Sequence, residues 1–283
     1  MDYLPAHAAA SVSKYNRNAG LEYNLASSTN TWTGKAVIMK SFSPGRNGND
    51  FMQAANLNYI SGNWNIGWQH EIVGRNYNAE VGYVPRTGYI NLNPQAAYLF
   101  FPKKGNLVSH GPKILSWNYF DQSFNRTDNT TFLAYNINFR SRATFSAWAA
   151  ADYVKLLRPF DPTNLGGATL PTGSEHHWQA WGTDFVSRPQ SMFTYAFSTR
   201  YGGYYADGTR LNISSELGYR FQPYVSLALS SSYNDIQLPL PWDRTTFWLV
   251  GPRLDVTACN GDINLLPIFL LFTRITIYQT LFP

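Results

Sequence analysis

Between Tyr15 and Thr257 the chain changes from apolar to polar and back at almost every residue, in one segment after another. Successive side chains of an extended strand point to opposite faces, so this two-residue period specifies sheets with one apolar and one polar face and argues against helices. In Trp64–Ile72, Trp64, Ile66, Trp68 and Ile72 share one side, and Asn65, Gly67, Gln69 and Glu71 the other. Leu21, Tyr23 and Leu25 oppose Gly20, Glu22 and Asn24; Leu133, Tyr135, Ile137 and Phe139 oppose Asn136, Asn138 and Arg140. The same alternation runs through Leu211–Phe221 and Val225–Asn234. Several segments are about ten residues long, enough for a tilted strand to cross a bilayer, whereas strands in soluble sheets run nearer five or six.

The joints alternate as well. Short turns such as 27–30, 61–63 and 222–223 are interleaved with longer stretches at 43–50, 74–88, 121–129, 155–176, 203–210 and 237–246. Short turns at one end and long loops at the other are the layout of an up-and-down β-barrel in an outer membrane. The expected fold is therefore all-β, an antiparallel up-and-down transmembrane β-barrel with the long loops external. Two segments resist assignment. Residues 178–186 offer two phases, Trp178/Ala180/Gly182 or Trp181/Thr183/Phe185, and Pro94 within 89–102 suggests a bulge or a strand end. Aromatics near segment ends (Tyr15, Tyr77, Tyr83, Tyr89, Phe100, Phe101, Tyr204, Tyr205, Tyr224 and Trp242) are expected to form interfacial girdles.

Composition supports this class. Only 14 % of residues are charged and 16 % are aromatic, against about 25 % charged in soluble domains. The polar positions are mostly Asn, Ser, Thr and Gly, which suits a crowded lumen better than the skin of a soluble sandwich. Mean hydropathy is slightly negative, which excludes a helical membrane protein. The net charge of +5 is scattered without a basic run, so no nucleic-acid partner is expected. A single cysteine, Cys259, allows no disulfide framework and no cysteine-rich metal site.

The recognisable strands number about thirteen, whereas bacterial barrels have an even number. Residues 1–14 read as a leading segment or external loop without the features of a signal peptide, 15–257 as barrel strands, and 258–283 as a divergent tail. The expectation is a barrel fragment whose export signal and first strands lie outside this sequence and whose tail is a truncated last strand or a shifted reading frame.

Several blocks carry a resemblance: Trp64–Glu71, Tyr77–Arg86, Phe160–Asn164, Arg200–Gly203, Gly218–Tyr224, Tyr233–Asp235 and Gly251–Thr257. Together they resemble a Bacteroidota outer-membrane β-barrel family catalogued as a domain of unknown function. Members of that family usually place a carbohydrate-binding module, similar to family nine, ahead of the barrel region. The resemblance implies outer-membrane localisation and an association with glycan binding or uptake, and it assigns no activity.

The chemistry-bearing residues give no catalytic signature. His176 and His177 are adjacent and face opposite ways in a strand, so with Asp161 and Glu175 they do not form a metal site. Glu22, Glu71, Glu80, Asp152, Asp184 and Glu216 are acids of the type used in glycoside hydrolysis, but an acid beside Arg140, Arg200, Arg220 or Arg253 reads better as an ion pair. Gly-x-Ser-x-Gly is missing, and Gly45–Gly48 and Gly166–Gly167 lack the Lys-Ser/Thr of a phosphate loop. No enzyme activity, metal or cofactor is expected. The expected lumen-lining residues are Glu71, Arg140, Arg200, Glu216 and Arg220. Tyr77, Phe160, Tyr204, Tyr205 and Trp242 in the external loops are candidates for stacking on sugars. The expected function is that of a pore, transport component or surface scaffold, with outer-membrane lipid and an oligosaccharide as partners. The alternatives are a soluble β-rich carbohydrate-binding protein and a glycoside-hydrolase-like barrel enzyme.

Overall fold

A computed structural model of the chain describes residues 15–46, 48–80, 84, 86–221, 225–256 and the backbone of 275–277. Thirteen long strands follow one another: β1 (Arg17–Ala26), β2 (Trp32–Phe42), β3 (Phe51–Ser61), β4 (Trp64–Val73), β5 (Tyr89–Tyr98), β6 (Leu107–Asp121) and β7 (Arg126–Phe139). Then come β8 (Thr144–Lys155), β9 (Glu175–Val186), β10 (Phe193–Gly203), β11 (Thr209–Phe221), β12 (Val225–Gln237) and β13 (Arg244–Val256), with a three-residue β14 (Ile275–Ile277). Every strand pairs antiparallel with its neighbours in sequence, giving one meander sheet in the order β1 to β14. The expected up-and-down, all-β architecture is present. A closed barrel is not: β1 pairs with β2 alone, and β14 meets β13 only across Trp248–Val250.

The expected loops share one rim of the sheet, but the strands reach further into them. The β6–β7 connection shrinks to 122–125, the β10–β11 connection to 204–208 and the β12–β13 connection to 238–243. On the opposite rim 99–106 is longer than the turns around it, so the length alternation is weaker than the sequence suggests. Pro94 neither ends nor bulges β5. The ladder to β6 omits Asn93 and Pro94 and resumes in the same register, from Leu92↔Asn118 to Gln95↔Leu115. The bulges lie instead between β6 and β7, near Leu107 and Tyr119. Residues 1–14, Tyr83, Gln222–Tyr224, Cys259 and the tail apart from 275–277 are outside the described residues.

Register assigns each side chain to a face. On the apolar face the rings and aliphatic chains are widely exposed, with Leu21 at 77 %, Leu133 at 60 % and Trp181 at 60 %. Trp181, Thr183 and Phe185 take this face and Trp178, Ala180 and Gly182 the other, which resolves the ambiguous segment. Along the short-turn rim, rings on this face touch in sequence: Trp32–Tyr59 at 4.8 Å, Trp64–Tyr98 at 4.9 Å, Tyr98–Phe100 at 4.9 Å and Phe100–His110 at 5.3 Å. Phe193–Tyr195 and Tyr219–Phe221 extend the run on β10 and β11.

The sheet curls toward its polar face. Asn65 on β4 and Asp184 on β9 are five strand spacings apart, roughly 24 Å along the sheet, yet both line a single cavity of about 350 Å³. Inside the curl sits a small core of Val73, Tyr77 and Tyr89, packed against Met39, Met52, Val84 and Tyr119. It forms because loop 74–88 folds inward and seats Tyr77 on the sheet, leaving that ring 4 % exposed.

Candidate functional site on the polar face

Around Asp184 the polar face of β9 to β12 is built mostly from short side chains, whereas Trp117, Phe132 and Trp148 pack edge to face across it on β6 to β8. Asp184, Ser198, Ser214 and Ser232 lie opposite one another on β9 to β12 and line a trough of about 510 Å³ together with Glu216 and Ser230. Asp184 anchors it, accepting hydrogen bonds from Ser198 Oγ at 2.6 Å and Trp148 Nε1 at 2.8 Å. Trp148 lies flat over Gly182, where a Cβ would collide with the indole and with the backbone of Thr199. Asp184 also borders the second cavity, where Asn65, Gln95, Lys113, Asn136, Asn138 and Ser146 present amides, a hydroxyl and one ammonium. This wall can hydrogen-bond and hydrate solutes, with Asp184, Glu216 and Lys113 as the charged groups among its hydroxyls and amides.

Toward the loop rim the wall changes character. Loop 156–174 is shaped by Asp161, whose carboxylate accepts five hydrogen bonds: from Thr163 N and Oγ1 on one oxygen, and from Leu165 N, Gly166 N and Gly167 N on the other. Partial desolvation raises its pKa, and the donors more than reverse that, leaving it at about 2. Phe160 pairs with Leu170 across the loop neck and packs on Tyr205 at 4.9 Å. Tyr204 Oη donates to Pro162 O at 3.3 Å, and Trp242 Nε1, from the β12–β13 loop, donates to Ala168 O at 2.6 Å. Tyr204 and Tyr205 meet edge to face at 4.9 Å, and Tyr205 packs on Trp178 and His176. Burial pushes both phenols up, Tyr205 to about 12. Beneath these rings Arg200 and Arg210 rise from β10 and β11.

The sequence-predicted residues divide accordingly. Glu71, Arg200, Glu216 and Arg220 take the polar-face phase of their strands. Glu71 accepts a hydrogen bond from Tyr89 beside the loop-74–88 core, and Glu216 borders the serine trough. Arg140 lies just past β7 in a rim turn, where its Nε holds Gly105 O at 2.8 Å. Arg220 similarly holds Pro189 O at 2.8 Å and Arg200 holds Gly203 O at 3.2 Å. Of the four arginines expected to pair with acids, Arg253 does so, with Asp255 at 3.1 Å; the other three donate to backbone carbonyls instead.

Of the five loop rings Tyr77 is buried, while Phe160, Tyr204, Tyr205 and Trp242 are half-buried among the contacts of loop 156–174. Tyr77 and Tyr89, expected in girdles, are buried in the core, and Tyr204 and Tyr205 are covered by loop 156–174. His176 and His177 separate to opposite faces, His177 resting on Tyr153 at 4.7 Å. Sequence reasoning missed Arg210 and Trp178. Arg210 pairs opposite Gly202, one step from Arg200 on the same face, a proximity visible only once the β10–β11 turn is located.

No curated protein and no solved structure matches the chain. A family model does, over residues 10–242, which takes in β1 to β12 and the loop cluster. The chain belongs to the family described as a domain of unknown function, DUF5916.

Proposed function

We propose that this chain is the wall of an outer-membrane β-barrel, with the polar face toward a lumen and the work of a pore, transport component or surface scaffold. One observation carries the reading: the apolar face stays exposed across the sheet while the small core and the cavities lie on the polar side. Water on such a face costs about 25 cal/mol for every Å² of apolar surface, and hydrocarbon removes that cost. Ten to fifteen residues per strand span the hydrocarbon at the usual tilt, and the ring run on the short-turn rim matches an interfacial belt. Ser116, Asn118, Asn129 and Thr131 are polar on the apolar face, but they bond to one another toward the β6–β7 turn, Ser116 to Thr131 at 2.8 Å and Asn129 to Asn118 at 2.7 Å. A bilayer tolerates no unpaired backbone, so the free edges of β1 and β13 pair, with each other or with a neighbouring strand.

Spin labels distinguish the two faces. In a Cys259→Ser background, labels at Leu133→Cys and Leu229→Cys should be relaxed by oxygen dissolved in lipid, and one at Ser214→Cys by a water-soluble nickel chelate. Equal water accessibility at all three positions, or a stable monomer without detergent, rejects the membrane reading.

A further inference from the structure

On the polar face Arg200 and Arg210 lie close together, and neither is paired with a carboxylate among the described residues. Each lies within the other's electrostatic field. Their hydrogen bonding is incomplete in a specific way. Arg200 donates to Gly203 O, and Arg210 Nη2 donates to Asn234 Oδ1 at 2.8 Å. Yet Arg200 Nη1 and Arg210 Nε, both shielded from solvent, have no hydrogen-bond partner among the described residues, and the same is true of Trp178 Nε1. All three donors belong to adjacent strands and to the same face: Trp178 on β9, Arg200 on β10, Arg210 on β11. No acceptor among the described residues meets them.

The surroundings hold the pair in place. Tyr204 lies over the Arg210 guanidinium with its ring centre at 5.5 Å, and Asn212 shares Asn234 Oδ1 with Arg210. Gly202 and Gly203 keep the strand flanking the pair free of side chains, since a Cβ on either would strike Ala180 or Trp178. Asp152, whose charge reaches Arg200, already accepts from Thr130 Oγ1 at 2.7 Å and forms no ion pair with either arginine. Shielded, mutually repelling guanidiniums with unused N–H groups are complementary to an acceptor that carries negative charge.

We propose that Arg200, Arg210 and Trp178 form a binding site for an oxyanion, the carboxylate, sulfate or phosphate group of a solute entering from the loop rim. Loop 156–174 and Tyr204 roof the site, so the charged group is held where the wall passes from loops to strands. A fixed site of this kind selects solutes by charge at the mouth and leaves the serine- and amide-rich troughs beyond it to pass them on. The site belongs to the polar face and does not depend on a bilayer around the other one.

The test measures anion binding to the purified full chain in detergent micelles, as thermal stabilisation by sodium acetate, sulfate or phosphate against sodium chloride of equal ionic strength. At least one oxyanion should raise the melting temperature, because a ligand that binds only the folded state stabilises it. Arg200→Gln/Arg210→Gln should weaken apparent affinity by well over tenfold, and Trp178→Phe by about tenfold, which is what loss of one hydrogen bond to a charged group gives. Arg253→Gln, at the ion pair with Asp255, should leave it unchanged. If the double variant does not fold, Arg210→Gln and Trp178→Phe singly decide. No response to any of the three anions in the parent chain, or a full response in folded variants, overturns the site. Either result leaves the spin-label experiment untouched, so failure of the site and failure of the membrane reading are separable.

Discussion

Two loops on the same rim both turn inward over the polar face, and they do so for opposite reasons. Loop 74–88 closes over Val73, Met39, Met52 and Tyr89 by inserting Tyr77, and what it covers is apolar. Loop 156–174 closes over Arg200 and Arg210 through its contacts with Tyr204, Tyr205 and Trp242, and what it covers is charged and short of acceptors. The first loop is anchored by the buried Tyr77 ring, with hydrogen bonds at Asn76 and Asn78 and an Arg86–Asp128 ion pair beside it. The second is held by hydrogen bonds at its margins and an internal knot at Asp161, and it roofs donors that meet no acceptor among the described residues. Inward folding alone therefore identifies no site; the groups beneath the loop do.

The largest effect expected from this contrast is at Tyr77. Tyr77→Ala removes the ring that joins loop and sheet, and truncating a buried aromatic costs about 3 kcal/mol or more. Unfolding in urea, followed by loss of heat-modifiable mobility, should show a shifted midpoint with an unchanged slope. Anion stabilisation through Arg200 and Arg210 should survive in the folded fraction. A loss of both together would mean that the two loops form one cooperative unit.

A smaller effect is expected at Trp242. Trp242→Phe keeps most of the ring and deletes the hydrogen bond to Ala168 O, which is worth about 1 kcal/mol. Limited proteolysis should find loop 156–174 cut faster and loop 74–88 cut at the parental rate. Equal acceleration in both loops would count against separate anchoring.

Much of this organisation is readable in the residues, and the exceptions have physical causes. Trp64–Ile72 declares its faces because large apolar residues recur on one side only. Residues 178–186 do not, because Trp178 packs under a loop on the polar face while Trp181 stands on the apolar one, so both phases carry an indole. Arg140 follows the polar phase of β7 in sequence, but the strand ends at Phe139 and the side chain is used to join two turns. The loop tyrosines read as surface rings because a two-residue period says nothing about a loop that folds back over its own sheet. The Arg200–Arg210 pair depends on register: shifting the β10–β11 turn by one residue would move one of them to the other face.

The finest test of the contrast is pH. Asp161 lies at about 2 in the folded loop against an ordinary value of 3.8. A carboxyl with a depressed folded pKa binds its proton more readily when the loop is open, so its contribution is fully present above about pH 5 and is lost as pH falls from about 4 toward 2. Over that window hydrogen exchange at Leu165, Gly166 and Gly167 should rise relative to the amides of Tyr77 and Asn78, after correction for the intrinsic rate. At Tyr77 and Asn78 loop 74–88 is held by burial of an uncharged ring and by uncharged acceptors, so those two amides should show no matching step. Asp161→Asn keeps the shape but turns the oxygen that accepts from three backbone N–H groups into an amide contest, so protection there should already be low at neutral pH, by about tenfold, and should lose its acid step. An acid step that persists in Asp161→Asn would assign the loop's stability to another group and remove Asp161 as the knot that holds the roof over the arginines.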